Sequence, residues 1–466
     1  MKNLILLIMF LSFFSNLFSQ PKSDINAPKW SYDKNIYEVN LRQYTQSGTI
    51  KEFMLHLPRL KELGVGILWF MPIHPIGELN RKGTMGSYYS VKDYKGLDPS
   101  LGTKDDFRDM VKEIHNLGMY VIIDWVANHT SWDNVWTTEN PDFYKKDSLG
   151  KFVPPVADWS DVIALDYNNK KLWTAMTEAM EYWIKEFDID GYRCDVAGMV
   201  PTPFWNSLRP KLDKIKPVFM LAEWESPELH EKAFDMTYSW DLHHVMSEVT
   251  SGKKPAKELF TSINKEKKKY PLNSFRMRFT NNHDENSWNG TEFEKFGDAA
   301  VPLAVFSATV PGMLLIYNGQ EVGNTKRLSF FEKDLIDWEG KTLKPGRNNF
   351  TILYQKLNQL KKDNPSLWNG TMGGDFKPVK NNGNEKVLSF FRQGNNFTAE
   401  DERPGRKGKN IVLVFINISP EKQNVSLLRK DNLGKYKDYF TGSVVNFSKK
   451  STIELNGWDF KVLIKQ

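Results

Sequence analysis

Short apolar runs alternate with amphipathic stretches between residues 35 and 320. Eight of the runs are expected to be strands, and several are continuously apolar, as is typical of parallel strands covered on both faces. The predicted strands span residues 35–41, 65–72, 119–125, 191–196, 218–223, 234–238, 275–280 and 312–317. The α/β alternation predicts a (β/α)8 TIM barrel, with its active site at the carboxyl ends of the strands.

Helices are predicted between these runs, for example over residues 103–117 and 171–187. The first has Thr103 as N-cap, acidic residues in its first turn and Gly118 after its end. The alternative is a doubly wound open sheet. The absence of a glycine-rich phosphate-binding turn after the first strand weighs against that alternative.

Two segments depart from the alternation. Residues 129–167 are rich in Asp, Pro, Trp and Asn, and a crossover this long predicts a small inserted domain after strand 3. After Trp368, runs at 387–391, 410–416, 423–428 and 460–464 predict a C-terminal antiparallel β-sandwich. The predicted domains are therefore a barrel over 25–128 and 168–370, an insert over 129–167 and a sandwich over 371–466.

The amino terminus is typical of an export signal. Lys2 precedes an apolar run over residues 4–14, and Ser19 is the small residue before the expected cut. Residues 1–19 are thus a predicted signal peptide, and the protein is expected in the periplasm or outside the cell. The run is too short to span a bilayer comfortably, so no membrane association is expected after cleavage.

Composition narrows the choice of partners. Hydrophobic residues make up 40% and charged residues 26%, the balance of a soluble globular enzyme. The net charge of +6 comes from well-mixed signs without a basic stripe, so no nucleic acid is expected as a partner. The choice between sugar stacking and packing stays open for four of the 15 tryptophans, namely Trp125, Trp132, Trp136 and Trp159. Cys194 is the only cysteine, which excludes an intrachain disulfide.

Ionisable residues gather where the predicted strands end. Glycosidic hydrolysis needs two carboxyl groups whose pKa values are driven apart. Arg193 lies two residues before Asp195, on the same side of the strand, and is expected to keep that carboxylate ionised. Leu221 and Trp224 give Glu223 an apolar setting that would raise its pKa. The ionisable residues at the strand ends are Asp124, His129, Arg193, Asp195, Glu223, His283 and Asp284, and the amide Asn128 stands beside His129.

The strand ends that carry these residues resemble, in the same order, the four conserved regions of the α-amylase family of retaining glycoside hydrolases. Asp124, Asn128 and His129 match the first region, Arg193 and Asp195 the second, Glu223 the third, and His283 with Asp284 the fourth. Segments 64–72, 164–168 and 312–321 extend the resemblance, which covers residues from about 30 to 466. It implies that Asp195 is the nucleophile forming a covalent β-glycosyl intermediate and that Glu223 is the general acid/base. Asp284 would bind the 2- and 3-hydroxyls of the sugar and stabilise the transition state.

The resemblance also implies a set of substrate-binding residues. His129 and His283 would hydrogen-bond the sugar, and Arg193 would orient Asp195. Asp124 would support the site rather than react. Tyr89 has the spacing of the family's stacking tyrosine, and Tyr88 is a weaker candidate for that role.

The chain departs from the family pattern after the nucleophile. Typical endo-amylases carry a Lys-His pair that serves a leaving-group subsite and a calcium ion, but this chain has Gly198 and Met199. The departure puts that subsite in doubt and weakens the case for calcium. Asn128 remains a candidate calcium ligand, with Asp158 or Asp161 available as further oxygen donors. No cofactor is expected to be required for the chemistry.

The leading hypothesis is hydrolysis of α-1,4-glucosidic bonds in starch, glycogen or maltodextrins. An α-glucosidase, an α-1,6-debranching enzyme or a transglycosylase would use the same fold. A non-catalytic glucan-binding protein is a hypothesis from another class, but such relatives typically lose the carboxylates that are present here as Asp195, Glu223 and Asp284. Endo or exo cleavage and the oligomeric state stay open.

Overall fold

The computed structural model describes residues 22–339, 349–383, 385–394, 410–428, 433–448 and 451–466. The predicted signal peptide lies outside the described residues. None of the helices in these ranges is long and apolar enough to cross a membrane.

The strands come in chain order as three groups: those of the barrel, a pair in the insert, and those of the C-terminal domain. They are β1 (Ile36–Val39), β2 (Ile67–Phe70), β3 (Tyr120–Trp125), β4 (His129–Ser131), β5 (Val162–Ala164), β6 (Gly191–Cys194), β7 (Phe219–Ala222), β8 (Met236–Tyr238), β9 (Phe275–Arg278), β10 (Met313–Tyr317), β11 (Asp375–Pro378), β12 (Val387–Gln393), β13 (Ile411–Asn417), β14 (Gln423–Ser426), β15 (Gly434–Asp438), β16 (Val444–Phe447), β17 (Thr452–Leu455) and β18 (Phe460–Lys465).

The α-helices pack mainly around the barrel. They are α1 (Leu41–Tyr44), α2 (Ile50–Met54), α3 (Leu57–Glu62), α4 (Lys104–Asn116), α5 (Trp136–Glu139), α6 (Lys170–Phe187), α7 (Thr202–Asp213), α8 (Leu229–Lys232), α9 (Trp240–Thr250), α10 (Glu258–Lys269), α11 (Glu292–Phe296), α12 (Ala300–Thr309) and α13 (Phe350–Asp363). A π-helical turn, Glu285–Asn289, follows β9.

Eight parallel strands form a closed barrel in the order β1-β2-β3-β6-β7-β8-β9-β10, and β10 pairs back to β1. The predicted (β/α)8 barrel is confirmed, with all eight strands in place. The strands are shorter than predicted, partly because Asp195 and Glu223 lie just beyond the ends of β6 and β7. Thr103 caps α4 in a reciprocal capping box with Asp106, which fixes the start of this helix as the sequence predicts.

The barrel interior is layered because alternate residues of each strand point inward. Ile36, Ile122 and Leu221 belong to a buried apolar cluster inside the barrel. Two residues further along β1 and β3, toward the carboxyl ends, stand Glu38 and Asp124, both 0% exposed. The inward-facing residues are therefore apolar in the middle of the barrel and charged near the carboxyl ends of its strands.

Between β3 and β6, β4 pairs antiparallel with β5, with His129 opposite Ala164. Leu165 N–H donates to the carbonyl of Asn128 at 3.1 Å, which ties the end of this segment back to the end of β3. This hydrogen bond and the β4–β5 pair hold His129 and the loop before β5 over the carboxyl ends of the barrel strands.

The C-terminal region is an antiparallel domain of two unequal layers. Strands β11-β12-β13-β18-β15-β16 form one sheet, and β14 with β17 forms a two-stranded ribbon. One face of the large sheet joins the barrel core through Phe390 and Val414, and the other packs Phe415 against Val425 and Leu455 of the ribbon. The strands β11, β15, β16 and β17 were not predicted, because each is short and mixes polar residues into its alternation.

Candidate active site

A cavity of about 440 Å³ opens at the carboxyl ends of the barrel strands. The predicted site residues at its surface come from the ends of β6, β7 and β9, from the loop after β2 and from the start of the insert. They are Tyr89, His129, Asp195, Glu223, His283 and Asp284. The structure thus brings together residues that lie up to 195 positions apart in the sequence (Tyr89 to Asp284).

Arg193 lies at the centre of the buried charges. Its Nη1 donates to Asp124 Oδ1 at 2.9 Å and to Asp195 Oδ1 at 2.8 Å. Its Nη2 lies 3.0 Å from Glu223 Oε2, although this contact lacks the alignment of a hydrogen bond. Burial alone would lower the pKa of Arg193, but Asp124 and Glu223 raise it well above its usual value. One permanent cation therefore touches three carboxyl groups.

The pKa values of the two central carboxyl groups are driven apart. Burial raises the pKa of Asp195 to about 6, although Arg193 opposes the rise. Burial raises the pKa of Glu223 further, to about 8, with added repulsion from Asp195 and Asp284. Arg193 thus acts in the predicted direction, but burial outweighs it. Near pH 7 the arrangement favours an ionised Asp195 beside a protonated Glu223.

The turn after Asp195 is strained. Val196 has φ of 35° and ψ of 47°, a left-handed conformation that a β-branched residue rarely adopts and that costs roughly 1–3 kcal/mol. This conformation lets the Val196 N–H donate to Glu223 Oε2 at 2.7 Å. The strain is therefore coupled to the position of the Glu223 carboxyl group.

His283 joins the buried charges to the cavity wall. Its Nδ1 lies 2.5 Å from Glu38 Oε1, and its Nε2 lies 2.8 Å from the Tyr89 hydroxyl and 3.3 Å from Asp284 Oδ2. Burial lowers the pKa of His283, but the negative charges of Asp284 and Glu38 outweigh burial and raise it to about 9. The imidazole is therefore positively charged near neutral pH, with Nδ1–H donating to Glu38.

The sequence prediction missed Glu38. The signal was present, since a single carboxylate stands inside the fully buried strand Ile-Tyr-Glu-Val. A charge in that setting needs a partner, and the partner is His283. His129, in contrast, is neutral, because burial lowers its pKa to about 3. We call Glu38, Asp124, Arg193, Asp195, Glu223 and His283 the charged floor.

Tyr89 and Tyr88 point in different directions. The Tyr89 ring stacks on His283, with centroids 5.5 Å apart, and its hydroxyl donates to Asp124 Oδ2 at 3.2 Å. The Tyr88 hydroxyl instead accepts from Asn40 Nδ2 at 2.9 Å, and the Arg42 guanidinium lies 3.8 Å from its ring centroid. Tyr89 therefore reaches the cavity, whereas Tyr88 packs behind it.

Asp124 and Arg193, which the sequence analysis groups with the substrate-binding residues, do not reach the cavity surface. Both side chains are 0% exposed and lie beneath the cavity rather than at its surface. Asp124 accepts from Arg193 and Tyr89, and its Oδ2 also accepts from Trp69 Nε1 at 3.2 Å. Their position suits residues that hold the reacting carboxyl groups.

Asn128, the predicted calcium ligand, is engaged by the protein. Its carbonyl accepts from Leu165 N–H, and its Nδ2 lies 3.2 Å from His129 Nδ1. Asp161 pairs with Lys82 at 3.1 Å. The described ranges hold no group of three or more His, Cys, Asp or Glu residues arranged to bind a metal ion. Calcium stays a prediction, and no step below depends on it.

Gly198 leaves space for Trp224. A Cβ atom at Gly198 would lie 2.2 Å from Trp224 Cε2, so a larger residue at this position would displace the ring. The Trp224 side chain directly follows Glu223 and is 41% exposed. Near the position where typical endo-amylases carry a lysine, this chain therefore presents an exposed aromatic ring beside the predicted acid/base.

The upper wall of the cavity comes from loops that periodicity does not predict. Trp288 stands on the π-helical turn after Asp284, and its ring centroid lies 5.2 Å from that of Phe330. Of the four tryptophans left open by the sequence, Trp125 is fully buried in the core, Trp132 and Trp136 are partly buried against the core, and Trp159 lines the cavity. We call the wall formed by Lys82, Trp159, Asp161, Trp288, Phe330 and Phe331 the rim.

A barrel whose strand ends carry this set of carboxyl groups is the framework of a glycoside hydrolase. A sequence profile described as the α-amylase catalytic domain matches residues 21–153 and 156–364, and the chain belongs to the α-amylase family.

Among its relatives, α-amylase 2 of Dictyoglomus thermophilum is 27% identical over 92% of this chain and 76% of its own length. A maltogenic α-amylase of Thermotoga neapolitana, described as noncanonic, superposes with a TM-score of 0.82 at 30% identity, covering 93% of this chain and 98% of that one. An α-amylase of Lactobacillus plantarum gives 0.80 at 30% identity, covering 93% and 99%.

Proposed function

We propose that the protein hydrolyses α-1,4-glucosidic bonds in starch, glycogen or maltodextrins by a retaining double displacement. Asp195 is the nucleophile, Glu223 the acid/base, and Asp284 the residue that binds the sugar hydroxyls in the transition state. The observation that carries the proposal is the divergence of the Asp195 and Glu223 pKa values around one shared arginine.

The chemistry proceeds in two balanced steps. Asp195 attacks the anomeric carbon while protonated Glu223 gives its proton to the departing glycosidic oxygen, which leaves a covalent glycosyl ester. Glu223, now ionised, then removes a proton from water, and the resulting attack on the anomeric carbon frees Asp195. Val196 N–H holds one carboxyl oxygen of Glu223 at 2.7 Å, which leaves the other to carry the proton.

The surroundings of the predicted sugar position support these roles. The stacked Tyr89 ring offers an apolar face, and positively charged His283 and neutral His129 offer hydrogen bonds. The names of the relatives, which include α-amylases and maltogenic α-amylases, support an α-glucan as the substrate.

The test is a product analysis on amylose, pullulan, maltotriose and isomaltose, with the anomer followed by NMR. Early α-anomeric products from amylose support the proposal. Release of glucose alone would indicate an α-glucosidase, cleavage confined to isomaltose or to the α-1,6 bonds of pullulan would indicate a debranching enzyme, and longer products than the substrate would indicate a transglycosylase.

The matched variant is Asp195→Asn, which should lose at least about 10³-fold in turnover while retaining glucan binding. Binding without cleavage by the unaltered protein on every substrate would instead support a glucan-binding protein.

We also propose that the protein acts outside the cytoplasm, on the strength of the signal-peptide pattern in residues 1–19. One relative, of Bacillus subtilis, is named an intracellular maltogenic amylase. Cell fractionation with amino-terminal sequencing of the mature chain decides the point, and an uncut chain confined to the cytoplasm would contradict export.

A further inference from the structure

Lys82 joins the loop after β2 to the insert across the rim. Its Nζ lies 3.1 Å from Asp161 Oδ1 and donates to the carbonyl of Asp158 at 2.7 Å. Both Lys82 and Asp161 line the cavity, with Trp159 between the two insert contacts in the chain. The ion pair therefore forms part of the cavity wall itself.

The same loop is tied on its other side to the segment after β10. Thr84 N–H donates to Glu332 Oε1 at 2.9 Å, and Met85 N–H donates to the carbonyl of Phe331 at 3.1 Å. The Phe331 ring centroid in turn lies 6.0 Å from that of Trp288. The wall is thus continuous from the insert, through Lys82, to the turn that follows Asp284.

The position of the acid/base gives the cleft a direction. Glu223 must protonate the leaving oxygen, so the leaving part of the chain lies on its side, where Trp224 and Met199 are exposed. Neither Trp224 nor Met199 lines the cavity, whereas Tyr89, Lys82 and Trp288 do, so the cavity extends from Asp195 and Glu223 on the side away from the leaving group. The wall that contains Lys82 therefore stands on the glycone side of the sugar that Asp195 attacks.

We propose that the bridge from Lys82 to Asp161 and Asp158 closes the glycone end of the cleft. The enzyme then acts from the non-reducing end of an α-glucan and releases short oligosaccharides of a single length. The inference rests on the proposed function and makes Lys82 a specificity-determining residue. A glucan cannot extend through a closed end of the cleft, so its internal bonds, far from the non-reducing end, cannot reach Asp195.

The test compares maltoheptaose with maltoheptaose blocked at its non-reducing end, in the unaltered protein and in Lys82→Ala. We expect the unaltered protein to cleave the free substrate at least about tenfold faster, since a blocking group would clash with the wall. In Lys82→Ala the ratio should fall several-fold, and longer oligosaccharides should appear among the early products from amylose.

Lys92→Ala is the matched control. Lys92 also joins the loop after β2 to the insert, through Asp133 at 3.3 Å, and it pairs with Glu78 of its own loop at 3.0 Å, yet it does not line the cavity. It should leave the ratio and the products unchanged. If Lys82→Ala folds poorly, Asp161→Asn removes the ion pair from the other partner and should open the cleft in the same way.

The outcomes separate the two proposals. Equal cleavage of blocked and free maltoheptaose by the unaltered protein, or mixed product lengths from the start, would overturn the closed end but leave α-1,4 hydrolysis standing. A preference that Lys82→Ala does not alter would also overturn the role of the bridge. Failure to cleave even the free substrate would overturn the proposed function and this inference with it.

Discussion

The charged floor and the rim of the cavity are built in opposite ways. The floor comes from strands and their ends, and its Arg193, Asp124 and Glu38 side chains are 0% exposed. The rim comes from loops, and Trp288 in it is 53% exposed. Residues on a rigid barrel hold atoms to the tolerance that bond cleavage needs, whereas loops vary without disturbing the barrel. In the proposed function the floor therefore carries out the reaction, and the rim selects the glucan that is cleaved.

The floor and the rim also differ in how they affect the stability of the folded protein. Burial raises the pKa of Asp124, Asp195 and Glu223, which means that the folded protein disfavours their ionised forms. The rim is mostly aromatic and carries one partly exposed ion pair, which contributes at most about 1 kcal/mol. Changes in the floor should alter turnover, pH dependence and stability together, and changes in the rim should alter only substrate use.

The largest expected effect comes from Arg193→Leu. Removal of the guanidinium leaves the buried Asp124 and Asp195 without the cation that bonds both of them, so we expect turnover to fall by at least about 10³-fold and the free energy of unfolding to fall by about 3–5 kcal/mol. Denaturant unfolding and kinetics measure the two losses.

Arg209→Leu is the control, because Arg209 is equally buried and pairs with Asp235 and Asp213 away from the cavity. It should destabilise the protein and leave turnover of the folded fraction unchanged. Near-normal turnover in Arg193→Leu would show that the floor does not need the Arg193 guanidinium.

The second prediction concerns Glu38→Gln. Glu38 raises the pKa of His283, so its neutral replacement should lower that pKa from about 9 by roughly 1 unit, and His283 should lose its proton at a lower pH. The imidazole resonance of His283 in an NMR titration reports this shift directly. Tyr89→Phe removes the hydroxyl near His283 Nε2 without removing a charge, and should leave the titration close to that of the unaltered protein. An unmoved titration in Glu38→Gln would refute the pairing.

A smaller effect is expected on stability in Glu223→Gln. The folded pKa of about 8 lies above the unfolded value of about 4.3, so the folded state binds the proton more tightly and stability falls as pH rises between the two values. Glutamine removes this loss. The melting temperature should rise by about 2–4 °C at pH 8 and should match the unaltered protein below pH 4. A variant that melts lower at pH 8 would contradict the raised pKa.

The floor and the rim differ in how far the sequence predicts them. Asp195 and Glu223 directly follow apolar strands, so the strand pattern alone brings them to one end of the barrel. The sequence prediction missed Glu38 because this residue lies inside β1, and the pattern of polar residues at strand ends does not include it. Lys82, Trp288 and Phe330 lie in loops without periodicity, and their meeting depends on contacts between segments up to 248 residues apart, as for Thr84 and Glu332. The strand pattern is local, whereas the rim is set by tertiary packing.

The smallest expected effects come from replacing one tryptophan at each end of the cleft. Trp288→Ala removes an exposed ring from the glycone end and should raise KM about fivefold, the loss of roughly 1 kcal/mol of ring contact, with kcat and stability nearly unchanged. Trp224→Ala, at the leaving-group end, should raise KM for amylose but spare maltotriose, whose leaving part is short. Initial rates on both substrates measure the contrast. If both variants weakened maltotriose equally, the cleft would not have the direction that Glu223 assigns to it.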